Sequence, residues 1–213
     1  MRIVLLGPQG AGKGTQAQRI SRETGAKHIS TGDLVRAEIK SGSGLGQKIR
    51  DYNDRGDLVP DEIIVEMMRP YLDEADSWIL DGFPRNESQA EALDKMLEEI
   101  DAELDAAVAL EAPDDLLVER LSGRRTSEST GRIYHAEYDP PEDTDEDPGP
   151  FVQRKDDKVE AIRHRLRIYH EQTEPLKDYY ADRGILVTVD ATRSITEVTG
   201  DILEAVGEAE EKT

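Results

Sequence analysis

Cysteine is absent from this 213-residue chain, which excludes disulfides, thiol catalysis and any cysteine-liganded zinc site. No apolar stretch approaches the length that spans a bilayer, so no membrane is expected as a partner and a cytoplasmic protein is the plain reading. The chain opens directly on a strand-like run, and no secretory leader is expected. Basic residues are scarce: 27 Lys and Arg stand against 47 Asp and Glu, for a net charge of −20. Such a surface repels nucleic acid, and it repels any phosphate-bearing substrate unless cations are concentrated at one place. The four histidines show no metal-ligand or triad spacing and read as surface or core residues. Trp78, the only tryptophan, reads as a strand residue.

What is present begins with Gly7-Pro8-Gln9-Gly10-Ala11-Gly12-Lys13-Gly14-Thr15. An apolar run, Ile3 to Leu6, precedes it as a buried strand, and Gln16 to Glu23 follows as a helix. Strand, glycine loop and helix around G-x-x-x-x-G-K is the pattern that cradles phosphate. The backbone must curl with its N–H groups inward, which side chains would obstruct. The following helix adds unsatisfied N–H groups and a positive dipole end. A tight strand-to-helix turn with an incidental lysine is the plain alternative. Gly14 stands where Ser or Thr usually follows the lysine, and that GKGT ending suggests a nucleoside monophosphate kinase loop more than a GTPase or a motor.

Along the chain, Lys27–Ser30 reads as a short strand, and Thr31-Gly32-Asp33 leads into a helix over Leu34–Lys40. A glycine-rich break spans Ser41–Gly46, then a helix runs to Asp54. Arg55–Pro60 is a loop, and Asp61 caps a helix to Leu72. Ser77–Leu80 and Ala106–Leu110 are strands, Ser88–Glu99 and Asp114–Ser122 helices, and Ile185–Val189 the last strand. Strands alternating with helices predict an α/β fold with a parallel sheet. Between Gly123 and Asp157 the pattern breaks, with Pro140-Pro141 and the acid run Glu142 to Asp147. That length without periodicity predicts a lid-like insertion, bracketed by Arg120, Arg124 and Arg125 before it and Arg154 and Lys155 after it. The acid run does not match the EF-hand spacing of a calcium loop, and a solvated lid edge is expected instead.

GPQGAGKGTQAQ, ISTGDLVRAEI, GDLVPDE, LDGFPRNESQA, ERLSGRR, GRIYH, DPP, RKDD and HRLRIYHEQTEPL together resemble the adenylate kinases of the long-lid type, in order and nearly in spacing. The resemblance thins in the lid centre and in an acidic C-terminal tail. It implies a three-layer P-loop kinase core with a five-stranded parallel sheet, built from residues 1–29, 60–122 and 158–213. It further implies a monophosphate-binding insertion at 30–59 and a lid at 123–157 without the cysteines that bind zinc in some members. The implied reaction is reversible transfer from MgATP to AMP, giving two ADP. The implied ATP contacts are Gly10, Ala11, Gly12, Lys13, Gly14 and Thr15 for the phosphates, and Arg120, Arg124, Ile133, Tyr134 and Arg193 for the rest of the nucleotide. Tyr134 is equally well read as lid core. Asp81 would order Mg²⁺ through its water shell. Thr31, Asp57, Leu58, Val59 and Gln89 would read the AMP base, with Gly82, Phe83 and Pro84 beside it. Arg85, Arg36, Arg154 and Arg165 would hold its phosphate. Lys13, Arg85, Arg124, Arg154 and Arg165 are the implied catalytic group, in a chain expected to act as a monomer. A UMP or CMP kinase is disfavoured by the long lid, Thr31 and Gln89. A nucleotide-hydrolysing switch would leave LDGFPR and the second arginine set without a task.

The acid excess predicts adaptation to a salt-rich cytoplasm. Carboxylate repulsion opposes compaction, and the screening length falls from about 10 Å at 0.1 M salt to about 3 Å at 1 M. The melting temperature should therefore rise from 0.1 to 1 M KCl, with turnover at least maintained. A flat or falling melting curve across a KCl series would show that the acidic surface serves another purpose.

Overall fold

The computed structural model describes residues 1–55, 57–142, 144–154 and 157–210. Gly56 of the expected loop, Asp143 of the acid run, and Lys155 and Asp156 of the RKDD block lie outside the described residues. Five parallel strands form the central sheet in the order β2-β3-β1-β4-β5: β1 is Arg2–Leu6, β2 Lys27–Ser30, β3 Trp78–Asp81, β4 Ala106–Glu111 and β5 Leu186–Asp190. The near-continuous apolar sequence of the three inner strands, β3, β1 and β4, follows from burial on both faces. Along β1, Ile3 and Leu5 face one helical layer, while Val4 and Leu6 face the other. The first layer holds α1 (Lys13–Thr24), α6 (Asp114–Gly123), α7 (Val159–Ile168) and α9 (Ile195–Glu210). The second holds α4 (Asp61–Asp73), α5 (Glu87–Glu99) and α8 (Leu176–Ala181), with α2 (Thr31–Ser41) and α3 (Gly44–Arg55) packed onto it. Trp78 is wholly buried in this second layer. Each such large side chain contributes about 1.5–3 kcal/mol by leaving water.

Several boundaries shift from the sequence reading. Helix α1 starts at Lys13 rather than Gln16, and α2 at Thr31 rather than Leu34, because Ser30 Oγ already accepts from the Asp33 amide at 3.2 Å. Asp61 is not a cap: Pro60 holds that position, and the Asp61 carboxylate accepts instead from Asn86 and Gln89. The break between α2 and α3 is only two residues long. A Cβ on Gly46 would stand 2.1 Å from the Glu38 carbonyl oxygen, so only glycine lets the two helices meet this closely. The expected acidic tail is helix α9 through Glu210, with Val198, Ile202 and Val206 buried at four-residue spacing. Between α7 and α8 the chain forms a π-helical turn, Tyr169–Thr173. Among the described residues, no helix is long and apolar enough to cross a membrane.

Residues 124–152 carry a second, antiparallel sheet: β6 (Arg124–Ser127) pairs with β7 (Ile133–His135) and with β8 (Phe151–Val152). These strands are too short to show a period in sequence. The rings of Tyr134 and Phe151 meet edge-on at 5.3 Å. The acid run is not wholly a solvated edge. Glu142, Asp145 and Glu146 are exposed, but Asp147 is 3% exposed. Its Oδ1 accepts from Ser127 Oγ at 2.5 Å and Ser129 Oγ at 3.1 Å. Its Oδ2 accepts from Tyr134 OH at 2.7 Å and Thr130 Oγ1 at 2.9 Å. Burial opposes its charge, and these four hydroxyls more than offset that, holding the carboxyl below its ordinary range.

Asp147 therefore ties this subdomain together from a single carboxylate. Asp147→Ala should accelerate amide exchange in residues 124–152 by roughly tenfold or more while the five-stranded sheet keeps its protection. A depressed carboxylate pKa contributes stability above the unfolded value of about 3.9, lost as pH falls through the folded one. The wild-type subdomain should thus lose its protection selectively on acidification, and the variant should be insensitive there.

Candidate active site

The carboxyl edge of the sheet is where open α/β sheets bind ligands, and β1 delivers the glycine loop to it. Gly10 (φ 87°) and Gly12 (φ 95°) take left-handed conformations, and Gly12 caps α1 so that its first amides face the loop. Lys13 Nζ donates to the Gly7 and Pro8 carbonyl oxygens at 2.7 and 3.0 Å. Strand register sets Asp81 beside Leu5 on one side and Ser30 on the other. A Cβ on Gly14 would stand 3.2 Å from Asp81 Oδ2. That proximity gives the GKGT ending a physical reason, since the glycine leaves the carboxylate clear access to the loop.

Charge is tightly coupled here. Burial pulls the Lys13 ammonium down to about 8, with Asp81 opposing and Arg85 and Arg124 adding to the fall. Burial pushes the Asp81 carboxyl up, but His28, Lys13 and Arg85 together hold it below its ordinary value. His28 Nε2 stands 3.7 Å from Asp81 Oδ2. Arg85 is drawn down to about 10 by burial and by Arg165 and Arg36, against Asp81. Its position is fixed from three directions. Its Nε donates to Gly82 O at 2.7 Å, its amide to Gln89 Oε1 at 2.9 Å, and its carbonyl accepts from Thr173 Oγ1 at 2.6 Å.

One cavity of about 530 Å³ gathers these groups. Of the residues singled out from sequence, it is lined by Gly10 to Thr15, Thr31, Arg36, Asp57, Leu58, Val59, Asp81, Gly82, Arg85 and Gln89. Arg120, Arg124, Ile133, Tyr134, Arg154, Arg165 and Arg193 complete that set. Phe83 and Pro84 do not line it. Phe83 is wholly buried in the second helical layer, and Pro84 borders a hollow of about 60 Å³ behind the loop. Gln89 uses both side-chain ends within the protein, its Nε2 donating to Asp61 Oδ1 at 2.7 Å. Tyr134 borders the cavity while its ring meets Phe151 and its hydroxyl donates to Asp147 within the antiparallel-sheet subdomain.

Every arginine described here has a partner. Arg124 makes a two-pronged pair with the buried Asp157, at 2.9 and 2.5 Å. Arg165 donates to Gln9 Oε1 at 2.8 Å, Arg154 to Thr126 Oγ1 at 3.0 Å and Arg120 to Ala191 O at 3.0 Å. Arg36 pairs with Asp33, and Arg193 with Asp201 at 2.5 Å and Glu197 at 3.2 Å. The sequence reading gave Asp61 only a capping role and assigned no site role to His28, Gln9, Asp157 or His164. The histidines in particular are not idle: His28 lines the cavity and His164 meets Asp57. Their signal was adjacency to motif residues, and their partners are distant in sequence. The arrangement can hold two sets of anionic groups beside one ionised carboxylate.

A family model described as adenylate kinase matches residues 5–185. Among curated proteins, the adenylate kinase of Thermodesulfovibrio yellowstonii is 50% identical over 208 residues, 95% of this chain and 97% of its own length. That of Caldicellulosiruptor bescii is 45% identical over 213 residues, covering 97% of this chain and 99% of itself. That of Archaeoglobus fulgidus is 45% identical over 208 residues, 95% and 96% of the two chains.

The depressed Lys13 pKa has a measurable consequence. Phosphate oxygens favour the charged ammonium, so binding must raise that pKa and take up a proton. Triphosphate affinity should weaken by up to about tenfold per pH unit above pH 8. Calorimetry at pH 8.5 in buffers of different ionisation enthalpy should register the proton uptake, and Lys13→Met should abolish it.

Proposed function

The chain belongs to the adenylate kinase family, a nucleoside monophosphate kinase and phosphotransferase family, and from that premise we propose how its cavity moves the γ-phosphoryl group of MgATP reversibly to AMP, giving two ADP. The observation that carries the reading is that two sets of cations line a single cavity: Lys13 with the loop amides, and Arg85 with Arg36 and Arg165. A nucleotide hydrolase needs only the first set.

Lys13 and the amides of Gly10 to Thr15 hold the ATP β- and γ-phosphates. Arg120, Ile133, Tyr134 and Arg193 frame its base and ribose. Arg36, Arg85 and Arg165 hold the AMP phosphate, with Thr31, the Asp57–Val59 backbone and Gln89 at its base and the Gly82-Phe83-Pro84 backbone beside it. Arg124 and Arg154 bring charge to the transferring group. The acceptor oxygen needs no general base, because a phosphate monoester's second pKa is about 6. The residues supply alignment and charge neutralisation instead. Asp81 fits a magnesium ion arriving with the nucleotide. Its carboxyl is held ionised, glycine leaves its approach to the loop clear, and the Thr15 hydroxyl lines the same cavity. Asp81, through water, and Thr15 would hold that ion, which supplies charge to the phosphate oxygens when bound. Residues 30–59 and 123–157 act as the moving insertions, excluding water that would otherwise take the phosphoryl group. Action as a monomer is part of the same proposal.

The test is a coupled assay offering each nucleoside monophosphate with ATP. AMP should be the preferred acceptor, and preference for UMP or CMP, or hydrolysis without an acceptor, would overturn the reading. Arg85→Ala should raise the AMP KM by roughly ten- to a hundredfold with far less effect on ATP binding. Lys13→Met should cut kcat by roughly a hundredfold or more with unchanged circular dichroism.

A further inference from the structure

Helix α7 presents two neighbouring side chains in different directions, ~100° apart around the helix. Arg165 lines the cavity and donates to Gln9 on the glycine loop. His164 turns away, and its Nε2 stands 2.9 Å from Asp57 Oδ1, a residue 107 positions distant in sequence. Nδ1 of the same ring stands 3.3 Å from Arg167 Nη2. A guanidinium only donates, so Nδ1 accepts and the ring proton of the neutral imidazole lies on Nε2. The contact with Asp57 is then an N–H donated to a carboxylate, which needs no second proton on the ring. Arg55 Nε donates to the other oxygen of the same carboxylate at 2.7 Å. His164 first and Arg55 second hold the Asp57 carboxyl below its ordinary range.

Asp57 opens a segment that has no regular structure of its own. Asp57, Leu58 and Val59 lie between α3 and α4 and all line the cavity. With no helix or strand ladder to fix it, the segment is located by the burial of Val59, by the Asp57 amide donating to Tyr52 O at 3.0 Å, and by the Asp57 side chain. Of the His164 and Arg55 contacts on that side chain, the one with His164 reaches outside residues 30–59.

We propose that His164 is a positioning residue for the acceptor nucleotide. Through Asp57 it fixes the base-reading segment against the same helix turn that carries Arg165. The spacing between base site and phosphate site then becomes a property of α7. This inference rests on the acceptor-site reading given under Proposed function.

The full chain with His164→Ala, assayed with AMP and ATP varied separately, tests it. The AMP KM should rise about three- to tenfold, the size of one lost hydrogen bond. The ATP KM and kcat should change less than about twofold, since neither loop nor transferring group is touched. His164→Gln, which keeps an N–H donor, should recover most of the loss. Asp57→Asn should add little on top of His164→Ala. An unchanged AMP KM overturns the proposal. So does an equal rise in both KM values, or a glutamine variant no better than alanine, because either would mark a merely structural role. A wild-type chain that does not use AMP would instead sink the acceptor reading and this inference with it, whereas normal wild-type turnover beside an unaffected His164→Ala sinks the inference alone.

Discussion

Cationic charge buried in one cavity is the constraint that the rest of the structure answers. Burial draws Lys13 to about 8 and Arg85 to about 10, with Arg85 and Arg124 adding to the fall at Lys13, and Arg165 and Arg36 adding to it at Arg85. Left to themselves such groups would move apart into water. They are held because their backbones are anchored in rigid elements: Lys13 at the first turn of α1, Arg85 just past β3, and Arg165 within α7. The electrostatic tension is then relieved by whatever anion enters. A preorganised cationic site stabilises phosphate charge without reorganising as the reaction proceeds.

The partners that these cations hold meanwhile are chosen accordingly. Lys13 rests on two backbone carbonyls, contacts that a phosphate oxygen outcompetes because charge-assisted hydrogen bonds are roughly twice as strong. Arg124 is different. Its pair with the buried Asp157 is two-pronged and leaves little solvent on either group, so it sets where β6 departs from the core. Outside the cavity the balance of charge reverses. With 47 acidic residues against 27 basic ones, the outer surface repels phosphates that the cavity attracts, and the field draws ligands to a single place.

The antiparallel sheet obeys the same economy of few groups with many partners. Its strands are short, its aromatic core is one edge-on pair, and one carboxylate gathers four hydroxyls. A subdomain with so little apolar burial depends on satisfied polar contacts for its shape. In the five-stranded sheet, by contrast, β1 and β4 bury all but a terminal residue each.

Sequence alone determined the glycine loop, the five strands and the arginine inventory, because each is written locally. The doubly buried inner strands must be apolar almost throughout, a phosphate loop must be glycine-rich, and bracketing arginines announce an anion site. Tertiary structure alone decided the strand order, with β1 between β3 and β4, since pairing joins residues tens of positions apart. It also decided which polar side chains serve the site and which serve the scaffold. Gln89 turns inward to Arg85 and Asp61, Phe83 leaves the cavity for the core, and Asp147 leaves an exposed acid run to become a buried hub. Helix α9 could have been read from Val198, Ile202 and Val206, but its acidic outer face masked that period. His28 with Asp81 and His164 with Asp57 could not be read at all. A contact between side chains 53 or 107 positions apart leaves no spacing in the sequence, and it exists only once the helices and strands have packed.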